Sequence, residues 1–387
     1  MSFLHGPLFQ EGESGVRILP LKFSSVIGLV GVSDDADAEA FPLNKNVLIQ
    51  SDADLSKLGS GWLYKHAEAI FKQHKTKVVI VRVAEGVDDA ATLVNIIGTL
   101  ADKTGVYKLL DASSEVKYEV GIPVAQMSDE LDVTAALKVV AGRTLATYPV
   151  SAPESFTPAE TEFTGAEAAK AYEAAIADKN AYVVYPKVVK MPSSVEVDSC
   201  VAAAMLMAET DYNVGPWESP SNKVIKQAQG TDPAIDFQYG EASCTANDLN
   251  ENHVATIVHY EGYRLWGNHT AAPADEEQWR VVSVKRMSDM IKKTIKAGIL
   301  WAQDKGITKT FVEDVVDAVN AVLRDLKTAD AILGGECWAE PEINTVTGIK
   351  TGKIIFKYKF GAVYPGEQLV FIENLTDEYI ADIFAAA

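Results

Sequence analysis

Residues 348–353 are the segment whose composition most resembles a nucleotide-binding motif. They read GIKTGK, and in a phosphate-binding loop backbone N–H groups and a lysine hold the phosphates. This segment has one residue too few between its glycines, and Ile354 stands where a serine or threonine would bind magnesium. We therefore predict a hairpin turn here and not a nucleotide site.

The histidines and cysteines could supply metal ligands, nucleophiles or general bases. His66 and His74 share a predicted helix but are eight residues apart, which does not form a pair of metal ligands. Cys200, Cys244 and Cys337 are far apart and form no Cys-x-x-Cys pair, so we expect reduced, packed thiols. The sequence has no Gly-x-Ser-x-Gly or His-Glu-x-x-His segment. An α/β domain can still bring together in space catalytic residues that are far apart in sequence. A cytoplasmic α/β enzyme acting on a small ligand is for this reason kept as the alternative interpretation.

Strand and helix patterns alternate from residue 33 to about residue 210, which predicts largely parallel strands covered by helices. The predicted strands are 25–32, 77–84, 122–125, 145–150 and 181–185, and the predicted helices are 62–74, 88–101, 131–141, 165–177 and 194–209. We assign an α/β fold class, with a mixed sheet layered with helices.

The pattern changes near residue 216. Two consecutive helices are predicted at 283–303 and 311–327, and a short helix begins at Thr376. Further strands are predicted at 254–259, 331–338, 353–360 and 369–372. These changes suggest two domains, 33–210 as α/β domain and 211–365 as C-terminal core domain. The end segments, 1–32 with the first strand and 366–387, lie outside these domains.

The charge of the chain limits its partners. The 387 residues carry a formal charge of −19 and the pI is about 4.8. Such a surface disfavours nucleic acid and anionic membranes, because like charge opposes the encounter. The first residues lack a basic segment followed by an apolar run, so we expect no signal peptide. No stretch reaches the roughly 18 apolar residues of a membrane span. We expect neither nucleic-acid binding nor membrane insertion.

A basic stretch stands out in this acidic chain. Between Arg280 and Lys309 there are eight bases and two acids. On the first of the two consecutive helices several bases share or flank one face, which suggests contact with an acidic partner, although a solvated face is the simpler alternative. The candidate residues are Lys285, Arg286, Lys292, Lys293 and Lys296, with Arg324 and Lys327 on the second helix as the weaker option.

The C-terminal end combines acidic and apolar residues. Residues 367–387 contain five acids and no lysine or arginine, yet they keep too many large apolar groups for a free tail. The segment must bury these groups on its own core or on another subunit, where it could add a strand to an open sheet edge.

Residues 261–270 read EGYRLWGNHT and predict a tight polar-aromatic turn between a strand and the next helix. The segment is defined by Tyr263, Arg264, Trp266, Gly267 and Asn268. Together with WESPSNKVIK at 217–226 and DKGITKT at 304–310, it resembles the sheath protein of contractile phage tails and R-type pyocins. Residues 33–49 (SDDADAEAFPLNKNVLI) resemble the same family in its short temperate-phage branch.

The resemblance implies a non-enzymatic, cofactor-free structural subunit. Sheath proteins polymerise as helically stacked hexameric rings around a tail tube and contract to drive the tube through the host envelope. The implied partners are further copies of the chain, the tail tube protein, the baseplate and the tail terminator. The implied location is the host bacterial cytoplasm during assembly, and then the tail sheath of a virion or tailocin.

The resemblance also implies roles for particular residues. Terminal arms in this family lend strands to neighbouring subunits, here from about 15–23 and 368–384 to strands near 331–338 and 353–360. The arm residues would be Val16, Ile18, Leu21, Phe23, Leu369, Val370, Phe371, Ile372, Tyr379, Ile380, Ile383 and Phe384. A basic helical element contacts the acidic tube in related sheaths, and we place it on the candidate bases named above.

Overall fold

A computed structural model describes residue 21 and residues 23–380 of the chain. In this part the strands are β1 Ile27–Val32, β2 Asn46–Ile49, β3 Val78–Val83, β4 Ile122–Ala125, β5 Tyr148–Ser151, β6 Ser155–Phe156, β7 Phe163–Thr164, β8 Ala181–Tyr185, β9 Val188–Lys190, β10 Glu196–Asp198, β11 Gly230–Asp232, β12 Ala255–His259, β13 Tyr263–Trp266, β14 Ile332–Trp338 and β15 Lys357–Ala362. The helices are α1 Trp62–Gln73, α2 Asp89–Ile97, α3 Ala112–Glu115, α4 Leu131–Thr144, α5 Ala166–Ile176, α6 Ser199–Asn213, α7 Thr245–Glu251, α8 Val282–Gly298, α9 Lys309–Thr328 and α10 Val346–Lys350.

Two four-stranded sheets form the central layer. The first has the order β2-β3-β1-β4, in which β1 is parallel to β3 and β4 and β2 is antiparallel to β3. The second has the order β13-β12-β8-β5, with β8 parallel to β5 and β12. The sheets meet edge to edge, because Thr147 N donates a hydrogen bond to Gly121 O at 3.3 Å. The predicted α/β class with a mixed sheet is confirmed.

Helices cover both faces of this layer. In β1, Ile27 and Leu29 face a cluster that includes α1 and α6. Val30, like Val26 just before the strand, faces a cluster that includes α4 and α5. Strands buried on both faces need apolar residues at nearly every position. That requirement explains the unbroken apolar runs from which the strands were predicted.

The sheet pairing does not follow the predicted division at residue 210. The strands β12 and β13 fall in the predicted second domain, but β12 pairs with β8 and completes the second sheet. The apolar run of β12 indicates a buried strand, yet it cannot indicate which sheet the strand joins. The α/β layer therefore extends at least to Trp266.

The C-terminal unit consists of α8, α9 and the antiparallel pair β14–β15. Thr308 caps α9 by accepting a hydrogen bond from Phe311 N at 3.1 Å, and an apolar face that includes Val319 and Leu326 packs against β14. Asn320 binds both backbone groups of Cys337, with distances of 2.7 and 3.0 Å. The two predicted helices and two predicted strands of this unit are formed.

Two local predictions differ from the structure. Residues 369–372 form no strand in this chain, where they are largely exposed. Residues 348–353 do not form a simple hairpin turn, because the helix α10 begins after Thr345, whose hydroxyl accepts a hydrogen bond from Gly348 N at 3.2 Å. This cap gives the connection between β14 and β15 a helical turn.

Candidate assembly surfaces

The first half of α8 is buried and carries two internal ion pairs. Lys285 is 3% exposed and pairs with Asp289, one turn along the helix. Arg286 is 7% exposed and its Nη2 lies 2.5 Å from the carboxylate of Asp211 at the end of α6. Burial raises the pKa of Asp211 against the opposing effect of Arg286, and burial lowers the pKa of Lys285. The first pair therefore lies within α8, and the second joins α8 to α6.

The prediction that Lys285 and Arg286 lie on an exposed basic face is therefore wrong. Helical spacing correctly places them near the other bases, but α8 is packed on several sides along its first three turns. The compensating acid Asp211 is 75 residues away in sequence and on another helix, so no local pattern indicated it.

The remaining predicted bases differ in their exposure and in whether they form ion pairs. Lys293 is mostly buried and lies 2.9 Å from Glu119. Lys292 pairs with Asp289 at 3.2 Å and lies over the ring of Trp279, yet its side chain is partly exposed. Of the predicted tube-contact bases, those that are exposed and have no ion-pair partner among the described residues are Lys296, Arg324 and Lys327.

The motif at 261–270 is a β-hairpin and not the predicted turn into a helix. β12 and β13 pair antiparallel, and Glu261 and Gly262 form the turn with φ angles of 49° and 107°. Arg264 extends back, donating to Tyr260 O at 2.8 Å and to Asn222 O at 3.0 Å. The available signal for a strand was the pair of aromatic residues Tyr263 and Trp266, a residue type that is enriched in strands.

The end of the motif connects the sheet to the C-terminal unit. Gly267 has a φ of 141°, and a Cβ there would lie 2.8 Å from the Cα of Ala255, so close packing requires glycine. Tyr182 Oη donates to Gly267 O at 2.6 Å, and Val282 N at the start of α8 donates to Asn268 O at 2.8 Å. Gly267 and Asn268 therefore fix where α8 begins.

A histidine pair connects the same region to the C-terminal segment. Nε2 of His269 lies 3.2 Å from the carboxylate of Glu367, and its Nδ1 lies 3.2 Å from Nδ1 of His253. Burial, with a smaller effect of Arg280, lowers the pKa of His253 to about 4, so this ring is neutral at pH 7. If His253 donates from Nδ1 and His269 donates from Nε2, both contacts are satisfied.

After Glu367 the described part of the C-terminal segment is exposed. Leu369, Val370, Phe371 and Ile372 are between 70% and 90% exposed, and Tyr379 and Ile380 are also exposed. At the other end, Leu21 packs against the C-terminal unit and Phe23 is partly exposed. The predicted arm residues Val16, Ile18, Ile383 and Phe384 lie outside the described residues.

The enzymatic alternative would use the cleft at the carboxyl ends of β4, β5 and β8. This cleft of about 540 Å³ is lined by Asp129, Glu130, Asp132, Glu154 and Lys187, among others. Lys187 pairs with Asp129 at 2.6 Å. Outside the cleft lining, burial raises the pKa of Cys200 to about 12, which keeps this thiol protonated.

Among the described residues, no cluster of His, Cys, Asp and Glu side chains could hold a metal ion. No helix among them is long and apolar enough to cross a membrane.

Comparison with known proteins gives matches along the whole chain. A family model described as the phage tail sheath C-terminal domain matches residues 274–376. A Pseudomonas aeruginosa protein named as a prophage major tail sheath protein is 34% identical over 100% of both chains. The major tail sheath protein of Serratia phage KSP20 is 33% identical, over 100% of this chain and 98% of that protein.

A solved structure has the same fold. The anti-feeding prophage helical sheath in its contracted state is 17% identical, covers 98% of this chain and 100% of that chain, and gives a TM-score of 0.69. With a sequence relationship above 30% that extends from one end to the other, the chain belongs to the family of phage tail sheath proteins.

Proposed function

We infer that the chain is a non-enzymatic structural subunit of a contractile tail sheath. Copies polymerise as helically stacked hexameric rings around a tail tube, and contraction drives the tube through the host envelope. Its partners are further copies, the tail tube protein, the baseplate and the tail terminator. It assembles in the host bacterial cytoplasm and then forms the sheath of a virion or tailocin tail. Nucleic acid and membrane are not partners.

The exposed apolar segment at 369–372 carries this proposal. Fully burying a large apolar side chain contributes about 1.5–3 kcal/mol, so four exposed ones in sequence favour a partner surface. The sheet β14–β15 has only two strands in the described part of the chain, so neither outer edge pairs with a third strand there. The segment of one copy can add a strand to the sheet of another.

The tube contact is the weaker of the two interactions. We assign it to the exposed end of α8, with Lys296 and the partly exposed Lys292, and keep Arg324 and Lys327 of α9 as the second option. Exposed ion pairs contribute at most about 1 kcal/mol each, less than one buried side chain of the arm. Subunits can therefore leave the tube while the arms still hold them together.

Contraction is possible because the contact with the tube is weaker than the contact between arms of neighbouring subunits. The extended sheath is held kinetically, and a baseplate trigger lets subunits rotate outward into better-packed contacts. Contacts between different surfaces of identical copies do not close on themselves, so they generate an open helical lattice.

Deletion of residues 368–387 tests the arm assignment. We expect a soluble, folded chain that forms no tubes, because the described part of this segment is exposed in the single chain. Negative-stain microscopy and sedimentation of concentrated protein measure tube formation, and circular dichroism measures folding. The control combines Glu373→Gln and Asp377→Asn, which keep the apolar residues and should leave polymerisation intact. Normal tubes from the deleted chain would refute the assignment.

A further inference from the structure

Four aromatic rings form a cluster where the β12–β13 hairpin meets the loop of residues 233–243. Tyr239 stacks on Tyr260, with ring centroids 5.3 Å apart and planes at 23°, and meets Trp266 edge-on at 6.2 Å. Phe237 packs edge-on against Trp266 at 5.4 Å. We call Phe237, Tyr239, Tyr260 and Trp266 the four-ring cluster.

The outer rings of this cluster are exposed on a fixed base. Tyr239 is 62% exposed and Tyr260 is 47% exposed. Phe237 and Trp266 are half-buried and pack against a small core that includes Val258. Tyrosine and tryptophan supply large contact areas at low cost in side-chain entropy, which is why they are enriched in interfaces. The geometry is that of a preformed contact surface.

The charges around the rings favour a cation. Asp236, Glu241 and Glu261 are exposed and within three residues in sequence of Tyr239 or Tyr260. Hydrogen bonds from Ser243 lower the pKa of Glu241, which keeps it ionised. Arg264, the arginine on this hairpin, donates hydrogen bonds to the carbonyl groups of Tyr260 and Asn222. The faces of aromatic rings carry negative potential and attract ammonium and guanidinium groups.

Two half-buried tryptophan rings of the chain hold a lysine of the same chain. Lys305 lies 5.0 Å from the ring centroid of Trp301, and Lys359 lies 5.3 Å from that of Trp338. Within the described residues, no lysine or arginine lies over Tyr239 or Tyr260. The four-ring cluster is therefore surrounded by acidic residues, as a cation site would be, and no cation from the described part of its own chain occupies it.

We propose that the four-ring cluster is a docking surface for a lysine or arginine side chain of a second copy of the chain. The proposal rests on the proposed function, since a homopolymer places many identical copies in contact. Each copy presents exposed bases on its C-terminal unit, such as Lys309, Lys350 and Lys353, that the tube contact does not use. The contact joins different surfaces of two copies, as an open helical lattice requires.

A pair of double variants tests the contact. The change of Tyr239→Ala with Tyr260→Ala should raise the critical concentration for tube formation at least about fivefold, because two stacking faces are lost. The matched change of both tyrosines to phenylalanine keeps the ring faces and should stay within about twofold of the wild type. Sedimentation measures the critical concentration, and thermal unfolding checks that each variant is folded.

The outcomes separate this contact from the sheath function. Tubes formed equally well by the alanine pair would overturn the contact alone. Failure of the unmodified chain to form tubes would count against the sheath function. Tubes that form normally from the alanine pair but no longer bind a tail tube would show that the cluster meets the tube, and would also overturn the proposal.

A photo-crosslinker covers the case in which the alanine pair does not fold. Benzoylphenylalanine in place of Tyr239, in mixed isotope-labelled and unlabelled tubes, should crosslink to a peptide of a different copy that contains an exposed lysine or arginine. Crosslinks confined to the same chain, crosslinks to the tube protein, or none in well-formed tubes would each overturn the proposal.

Discussion

At the scale of single residues, the ion pair of Arg286 and Asp211 connects α6 to α8 and is almost entirely buried. Breaking a buried pair by removing one partner typically costs about 3–5 kcal/mol, because the other charge stays buried and uncompensated. We expect Arg286→Met to lower the free energy of unfolding by about that amount in urea titrations. Lys296→Met on the exposed part of the same helix is the control and should change it by less than about 0.5 kcal/mol. Equal effects would mean that the pair is hydrated.

A second residue-scale prediction concerns Glu173 on α5. Burial raises its pKa to about 7, against a lowering effect of Arg280. The pKa of Glu173 is higher in the folded state than in the unfolded state, so ionisation of this carboxyl destabilises the folded state. Its contribution to stability falls as the pH rises and is lowest above about pH 7. Glu173→Gln should therefore stabilise the protein by about 1–2 kcal/mol more at pH 8 than at pH 5.5, after a discount for partial exposure.

Thermal or urea unfolding of the wild type and Glu173→Gln at both pH values measures this difference. Glu251→Gln, which changes an exposed carboxylate on α7, is the control and should show no such pH dependence. His253 acts in the opposite direction in both proteins, because its lowered pKa removes stability as the pH falls from about 6.5 toward 4. Comparing variants at each pH cancels that contribution.

At the scale of elements, hydrophobic periodicity predicts most helices and strands. It does not predict which other element each one pairs with or packs against. The period of α9 predicts a helix over 311–327, and the structure has Lys309–Thr328. Periodicity describes one element's faces, but β12 joins β8 and Arg286 joins Asp211 through contacts far apart in sequence. For the same reason the basic stripe on α8 was placed on the right helix, while the burial of Lys285 was missed.

The attachment of β14 to α9 gives a prediction at this scale. Asn320 supplies both a donor and an acceptor to the backbone of Cys337, so Asn320→Ala leaves two backbone groups without their partner. The cost should be about 1–3 kcal/mol, concentrated in the C-terminal unit. Hydrogen exchange should become faster in β14 and β15 and stay unchanged in β1 and β3. Asn247→Ala on the exposed surface of α7 is the control, and uniform acceleration throughout the chain would contradict a local role.

At the scale of the whole molecule, the −19 charge contrasts with the exposed and partly exposed bases of α8. A tube contact through two of these bases gives the last prediction. Lys292→Gln with Lys296→Gln should lower the affinity for a tail tube about 5- to 30-fold per subunit and spare tube-free polymers, because two exposed ion pairs contribute about 1–2 kcal/mol together. Co-sedimentation with tail tubes at several salt concentrations measures the affinity, and added salt should also lower the affinity of the wild type for the tube.

The control is Lys65→Gln with Lys75→Gln, which changes the net charge by the same amount on the α/β layer and should leave tube binding normal. If Arg324→Gln with Lys327→Gln is the pair that loses tube binding, the tube contact lies on α9. Equal loss of tube binding and self-assembly by the α8 pair would show that the tube contact has been placed wrongly on α8.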